Sequence, residues 1–379
     1  MKENPLKRLE SYGQSIWMDF ISRNVVVSGQ LKKWIEEDGV SGVTSNPSIF
    51  EKAIAETHDY DSEIDELIRQ GKKAAEIYDA LTISDIQQAA DVFKPVFDAT
   101  QGADGFVSIE VSPYLANDTE STIKEARRLW QSVDRPNIMI KIPGTQSGLN
   151  AIQQMISEGV NINITLLFGI PRYEEVIEAY MTGLEERAMM KLPLDHVSSV
   201  ASFFLSRIDV LVDPLLANLA TTQSKTTETL ARSLQGEVAI ASAKIAYETF
   251  RKSIASERFQ KLVEKGARKQ RVLWASTSTK NPAYSDVKYV EPLIGGDSIN
   301  TVPIETLNAY RDHGKPALSI GDGLEHATKV LESLEDLKIN LDGVTQELED
   351  EGVEKFSYSY QKLLERLDEK IRRQMRSPV

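Results

Sequence analysis

Ile138-Met139-Ile140-Lys141-Ile142-Pro143 and, further along, Asn163-Ile164-Thr165-Leu166-Leu167-Phe168 are short runs, apolar almost throughout, each followed by a longer charged stretch with helical spacing. A strand that faces water on one side alternates apolar and polar residues, whereas a strand buried on both faces of a parallel sheet does not. Working outward, the same texture recurs at 15–20, 42–46, 106–112, 198–204, 271–276 and 299–303. Eight such runs separated by helical segments predict an α/β fold closed as a (β/α)8 TIM barrel. An open doubly wound sheet is the competing arrangement. The whole chain, 1–379, reads as one barrel domain. Two long connections, near 50–96 and 208–269, are poor in Pro, Gly and Ser and read as inserted helices rather than linkers. A further helix is expected near 354–376, with Phe356, Tyr360, Leu363, Leu364, Leu367, Ile371 and Met375 on one face packed against the barrel exterior. The acidic run at 347–351 reads as a solvated face.

Composition narrows the function. The 379 residues include 44 Lys+Arg against 57 Asp+Glu, a net charge of −13. That balance argues against nonspecific binding to nucleic acid or to an anionic membrane, while leaving room for a local basic pocket. No stretch approaches the ~18 apolar residues of a membrane span, and the opening MKENPLKRLESYGQ lacks the apolar core of a signal peptide. A cytoplasmic protein is expected. With no cysteine there is no disulfide framework, thiolate metal site or cysteine nucleophile. His58, His196, His313 and His326 fall in no metal-ligand spacing. Gly321-Asp322-Gly323 lacks the third glycine and the preceding strand of a dinucleotide fingerprint. Gly144-Thr145-Gln146-Ser147-Gly148 reads as a turn with a helix N-cap, not a nucleophile elbow. Neither a metal nor an organic cofactor is expected.

The informative feature is what interrupts the apolar runs. Asp19, Asn46, Glu110, Lys141, Asn163, Thr165, Ser202 and Ser276 sit in or at the ends of seven of them. In a barrel, side chains near the C-terminal strand ends converge on one mouth, where catalysis is located. Lys141 matters most, because lysine is almost never buried without a partner or a task. At its ordinary pKa of about 10.4, only about one molecule in a few thousand is a free amine at pH 7. An apolar strand disfavours the ammonium. Lowering the pKa by about three, at a cost of about 4 kcal/mol, makes a nucleophile competent toward a carbonyl. Asp19 and Glu110 could then move protons, while Asn and Thr side chains hold substrate hydroxyls. The alternative for Lys141 is a salt-bridged structural lysine.

These residues resemble a known family. Gly42-Val43-Thr44-Ser45-Asn46-Pro47-Ser48-Ile49-Phe50 is similar to the first transaldolase signature. Ile140-Lys141-Ile142-Pro143-Gly144-Thr145 with Gly148-Leu149-Asn150-Ala151-Ile152 is similar to the second, which contains the Schiff-base lysine. The stretches NINITLLF and SSVASFFLSRID resemble the family's fifth and sixth strands, and the likeness runs from about residue 10 to about 370. Transaldolases are class I aldolases on a (β/α)8 barrel that move a dihydroxyacetone unit between sugar phosphates in the non-oxidative pentose phosphate pathway.

The resemblance implies that Lys141 attacks the C2 ketone and that Asp19 exchanges the C4 hydroxyl proton. Glu110, with Thr165 and a water, would shuttle protons during imine formation. Asn46 and Asn163 would hold hydroxyls of the three-carbon unit. Ser202, Arg207 and Ser276 would form the phosphate end, with Phe204 as a pocket wall. The chain departs from the commoner Ser-Phe-Arg after the seventh strand, reading Ser276-Thr277-Ser278-Thr279-Lys280-Asn281-Pro282, which makes Lys280 the candidate phosphate cation. The implied partners are sugar phosphates, and the assembly a monomer or homodimer. A related aldolase that releases free dihydroxyacetone and a non-catalytic acidic barrel are the alternatives.

Overall fold

The computed structural model describes residues 4–376. Eight parallel strands close a barrel in chain order: β1 (Gln14–Met18), β2 (Val40–Val43), β3 (Phe106–Glu110), β4 (Ile138–Pro143), β5 (Ile162–Leu167), β6 (Ser199–Phe204), β7 (Gln270–Ala275) and β8 (Ser298–Val302). β8 pairs back onto β1 from Ser298–Gln14 to Val302–Met18, so the sheet has no edge and the open arrangement is excluded.

Side-chain alternation explains why each strand is apolar on both faces. On β4, Lys141 lines the interior, so Ile140 and Ile142 face outward, where helices Thr119–Val133 and Gln146–Glu158 cover them. Both isoleucines are fully buried, each contributing about 1.5–3 kcal/mol of apolar transfer. The turn after β4 is as expected: Thr145 caps the second helix by accepting from the Gly148 amide at 3.0 Å. A Cβ at Gly148 would lie 2.0 Å from the Pro143 carbonyl oxygen, so glycine there lets the helix seat directly against the strand that carries Lys141. At the opposite end of the barrel Asp104 accepts from Ser15, Trp17 and Ser41, closing the floor.

The long connections are helical. Pro47–Ala55, Asp61–Arg69 and Ala74–Ala99 fill the first, and four helices from Ser206–Thr222 to Glu257–Val263 fill the second. The C-terminal helix departs from expectation in start, place and partners. It runs from Leu341 to Arg376 and packs along the C-terminal rim of the barrel, not only on its exterior. Phe356 reaches the central cavity, and Ser359 Oγ lies 2.8 Å from Ser48 Oγ. Tyr360, Leu363 and Leu367 are buried, Leu364 and Ile371 half-buried, and Met375 is exposed because the barrel ends before the helix does. The acidic run at 347–351 is not wholly solvated either. Glu349 is buried and lies 3.4 Å from Arg172, a pairing that offsets the cost of removing the carboxylate from water.

Candidate active site

The strand ends converge on a cavity of about 520 Å³ at the C-terminal mouth. Asp19, Asn46, Lys141, Ser202, Phe204, Arg207, Ser276 and Lys280 all line it. Asp19 follows directly on β1, where its amide donates to the Val302 carbonyl at 2.9 Å. Lys141 pairs in register with Glu110 on one side and Asn163 on the other, which sets three polar residues side by side on adjacent strands.

Lys141 is 3% exposed; its Nζ donates to the Ser45 carbonyl at 3.0 Å and lies 3.5 Å from Glu110 Oε2. Neither Glu110 oxygen makes a hydrogen bond among the described residues, and neither do Thr165 Oγ1 and Arg207 Nη1. Burial pushes the Glu110 carboxyl up to about 7, against the opposing pull of Lys141. It therefore holds or releases a proton near neutral pH. Asp19 reaches the cavity surface but is walled by protein. Burial raises its carboxyl, while Lys141, the Thr44 hydrogen bond and Arg207 act against that rise. Thr44 Oγ1 donates to Asp19 Oδ1 at 2.7 Å and is itself held by Thr301 Oγ1 at 2.8 Å.

Glu110, Asn163 and Thr165 lie beneath the cavity wall rather than on it. Asn163 donates to Ser108 Oγ at 3.0 Å and accepts from Ser202 Oγ at 2.7 Å, which fixes its amide orientation and leaves one N–H uncommitted. Asn46 caps helix Pro47–Ala55 by accepting from the Ile49 amide at 3.0 Å, so its Nδ2 group is what it offers to the cavity. The Arg207 guanidinium sits over Phe204, 5.3 Å from the ring centroid, and 6.0 Å from that of Phe356. Burial lowers its pKa, with Asp19, Glu351 and Glu110 opposing. Ser276 turns the chain out of β7 at φ 54°, a left-handed conformation unusual for serine, and its Oγ lies 2.9 Å from Ser206 Oγ. Lys280 is exposed, and its Nζ donates to Ser278 Oγ at 2.5 Å.

Several lining residues escaped the sequence reading: Thr44, Thr301, Lys52, Ser278, Glu305 and Phe356. Thr44 and Thr301 carried the same signal as the rest, a hydroxyl within or just past an apolar run. Lys52 carried none, being one charge on a helix. The cavity lining holds four cations, Lys52, Lys141, Arg207 and Lys280, against two carboxylates, Asp19 and Glu305. A chain of net charge −13 thus keeps a locally positive mouth, suited to an anionic ligand.

This fold and site define a (β/α)8 barrel of the lysine-dependent aldolase class. The chain belongs to the transaldolase/fructose-6-phosphate aldolase family, whose model matches residues 16–367. It is 47% identical over 376 residues to a transaldolase of Trichodesmium erythraeum, covering 98% of this chain and 99% of that one. It is also 47% identical to transaldolase 2 of a Nostoc species, over 100% of both chains. With the transaldolase of Thiobacillus denitrificans it shares 45% identity over 95% of this chain and 99% of the relative.

Proposed function

We propose that the chain is a transaldolase, converting sedoheptulose 7-phosphate and glyceraldehyde 3-phosphate to erythrose 4-phosphate and fructose 6-phosphate through a Schiff base on Lys141. The observation that carries this reading is the Lys141 amine, sealed in the barrel 3.5 Å from Glu110 and opening on the cavity that Asp19 also lines.

Lys141 Nζ adds to the C2 ketone of the donor to give a carbinolamine. Glu110, with Thr165 and a water, supplies the proton with which hydroxide leaves as water, forming the iminium. Asp19 then takes the C4 hydroxyl proton. The C3–C4 bond breaks, its electron pair flows into the iminium to give an enamine, and the aldehyde departs. The enamine C3 attacks the carbonyl of the acceptor, Asp19 returns its proton to the new alkoxide, and water releases the ketose from Lys141. The iminium supplies the electron sink, so the scheme uses no metal or organic cofactor. Asn46 and Asn163 hold hydroxyls of the three-carbon unit, Phe204 walls the pocket, and Ser202, Arg207, Ser276 and Lys280 take the phosphate.

All these groups come from one chain and from one barrel domain, so the reading suits a monomer or a homodimer in the cytoplasm. No described helix is long and apolar enough to cross a membrane. Because the matched family also covers fructose-6-phosphate aldolase, release of free dihydroxyacetone is the competing outcome of the same half-reaction. A coupled assay on fructose 6-phosphate with and without erythrose 4-phosphate separates them. Transfer should greatly outrun release; comparable rates would make the chain an aldolase.

A further inference from the structure

The loop between β7 and β8, residues 276–297, carries Ser276, Ser278 and Lys280 on the cavity wall, while Arg207 stands on the separate helix Ser206–Thr222. A phosphate held by both elements needs them fixed relative to each other. The fixing point is a buried carboxylate. Asp209, 2% exposed, lies on the same helix two residues beyond Arg207. Its Oδ2 lies 3.0 Å from Lys288 Nζ and accepts from the Tyr289 hydroxyl at 2.8 Å; its Oδ1 accepts from the Ala239 amide at 2.8 Å. One turn on, Asp213 accepts from the Tyr284 hydroxyl at 2.7 Å, and Lys288 Nζ sits 3.6 Å from the Tyr284 ring centroid. Gly236, at φ 73°, leaves room for this packing, since a Cβ there would come within 2.6 Å of Lys288 Nζ.

We propose that Asp209 is a positioning residue for the phosphate end: by gripping Lys288 and Tyr289 it locks the loop that carries Lys280 onto the helix that carries Arg207. The inference rests on the phosphate assignment above. Stability alone does not call for this arrangement, because a buried ion pair is often matched by apolar residues of similar volume. What it supplies is one defined geometry.

The test compares Asp209→Asn with the wild type on erythrose 4-phosphate and on unphosphorylated erythrose. The expected result is a KM for the phosphorylated acceptor raised about 10-fold or more, with kcat/KM for erythrose within about 2-fold of the wild type. Trypsin should cut after Lys280 and Lys288 faster, and reductive trapping of dihydroxyacetone on Lys141 should be unchanged. Lys288→Met should reproduce the kinetic pattern, with faster tryptic cleavage after Lys280, and it carries the test if Asp209→Asn does not fold. Equal losses on both acceptors, or an unchanged preference for phosphate, would overturn the proposal. Failure of the wild type to trap dihydroxyacetone would instead remove the reading on which it rests, while loop protection from trypsin would still report the clamp.

Discussion

Lys141 Nζ and Glu110 Oε2 face each other at 3.5 Å across the β3–β4 register, 3% and 9% exposed as residues. The pair shares a proton problem that neither residue has alone. Burial favours the neutral acid at Glu110, while the neighbouring ammonium favours the carboxylate. A Glu110 that keeps its proton stands beside the amine as an acid able to assist loss of water.

The pH dependence of stability follows, with its sign. Glu110 rises from an ordinary 4.5 to about 7 in the folded protein. Between those values the unfolded chain releases a proton that the native state keeps, so stability is present below about 4.5 and is lost as the pH rises through 7. The amount is on the order of 3 kcal/mol. Glu110→Gln lacks this loss. Its melting temperature minus that of the wild type should therefore climb by a few °C from pH 5 to pH 8. The same variant should form imine about 100-fold more slowly. A difference that stays constant over the range would contradict a raised Glu110 carboxyl.

Asp19 and Thr44 act on the other proton. Asp19→Asn should lower C–C cleavage by about 100-fold or more while trapping of the initial imine persists. Thr44→Val removes the 2.7 Å hydrogen bond that favours the Asp19 carboxylate, so the Asp19 carboxyl should rise further. Single-turnover cleavage of fructose 6-phosphate should then shift its rising limb to higher pH, with most of the deficit at low pH. A uniform loss at all pH values would assign Thr44 to packing instead.

The barrel was legible because eight continuously apolar runs separated by helices have few other solutions, and β4 ends where the sequence places it, at Ile138 and Pro143. The second strand was misplaced for a physical reason. The run continues to Asn46, yet the strand ends at Val43 and Asn46 already caps the next helix. Polar interruptions pointed to Lys141, Glu110 and Asp19, since burying such groups is costly wherever it occurs. The Thr44–Asp19 bond was not legible: residues 25 apart meet only because β1 and β2 are neighbours, and no local spacing records it. The C-terminal helix shows a similar limit. Its periodicity announced an apolar face, and nothing in the periodicity says that Phe356 meets Arg207 and the mouth.

At the phosphate end, Lys280 and Lys52 can be told apart. A charge-assisted hydrogen bond contributes roughly 1.5–3 kcal/mol. Lys280→Ala should therefore weaken kcat/KM for phosphorylated acceptors by about 10- to 150-fold, with unphosphorylated erythrose hardly affected. Lys52→Ala, on the helix beyond β2, should change the same ratio by less than about 3-fold if it serves only the long-range field. If Lys280→Ala leaves the ratio intact while Lys52→Ala lowers it, Lys52 rather than Lys280 is the phosphate cation.

Reductive trapping tests the central claim most directly. The protein is incubated with fructose 6-phosphate, reduced with borohydride, digested and mapped by mass. The account predicts a three-carbon adduct on Lys141 and its loss in a folded Lys141→Ala variant. An adduct on another lysine, or substantial transfer activity in Lys141→Ala, would contradict it.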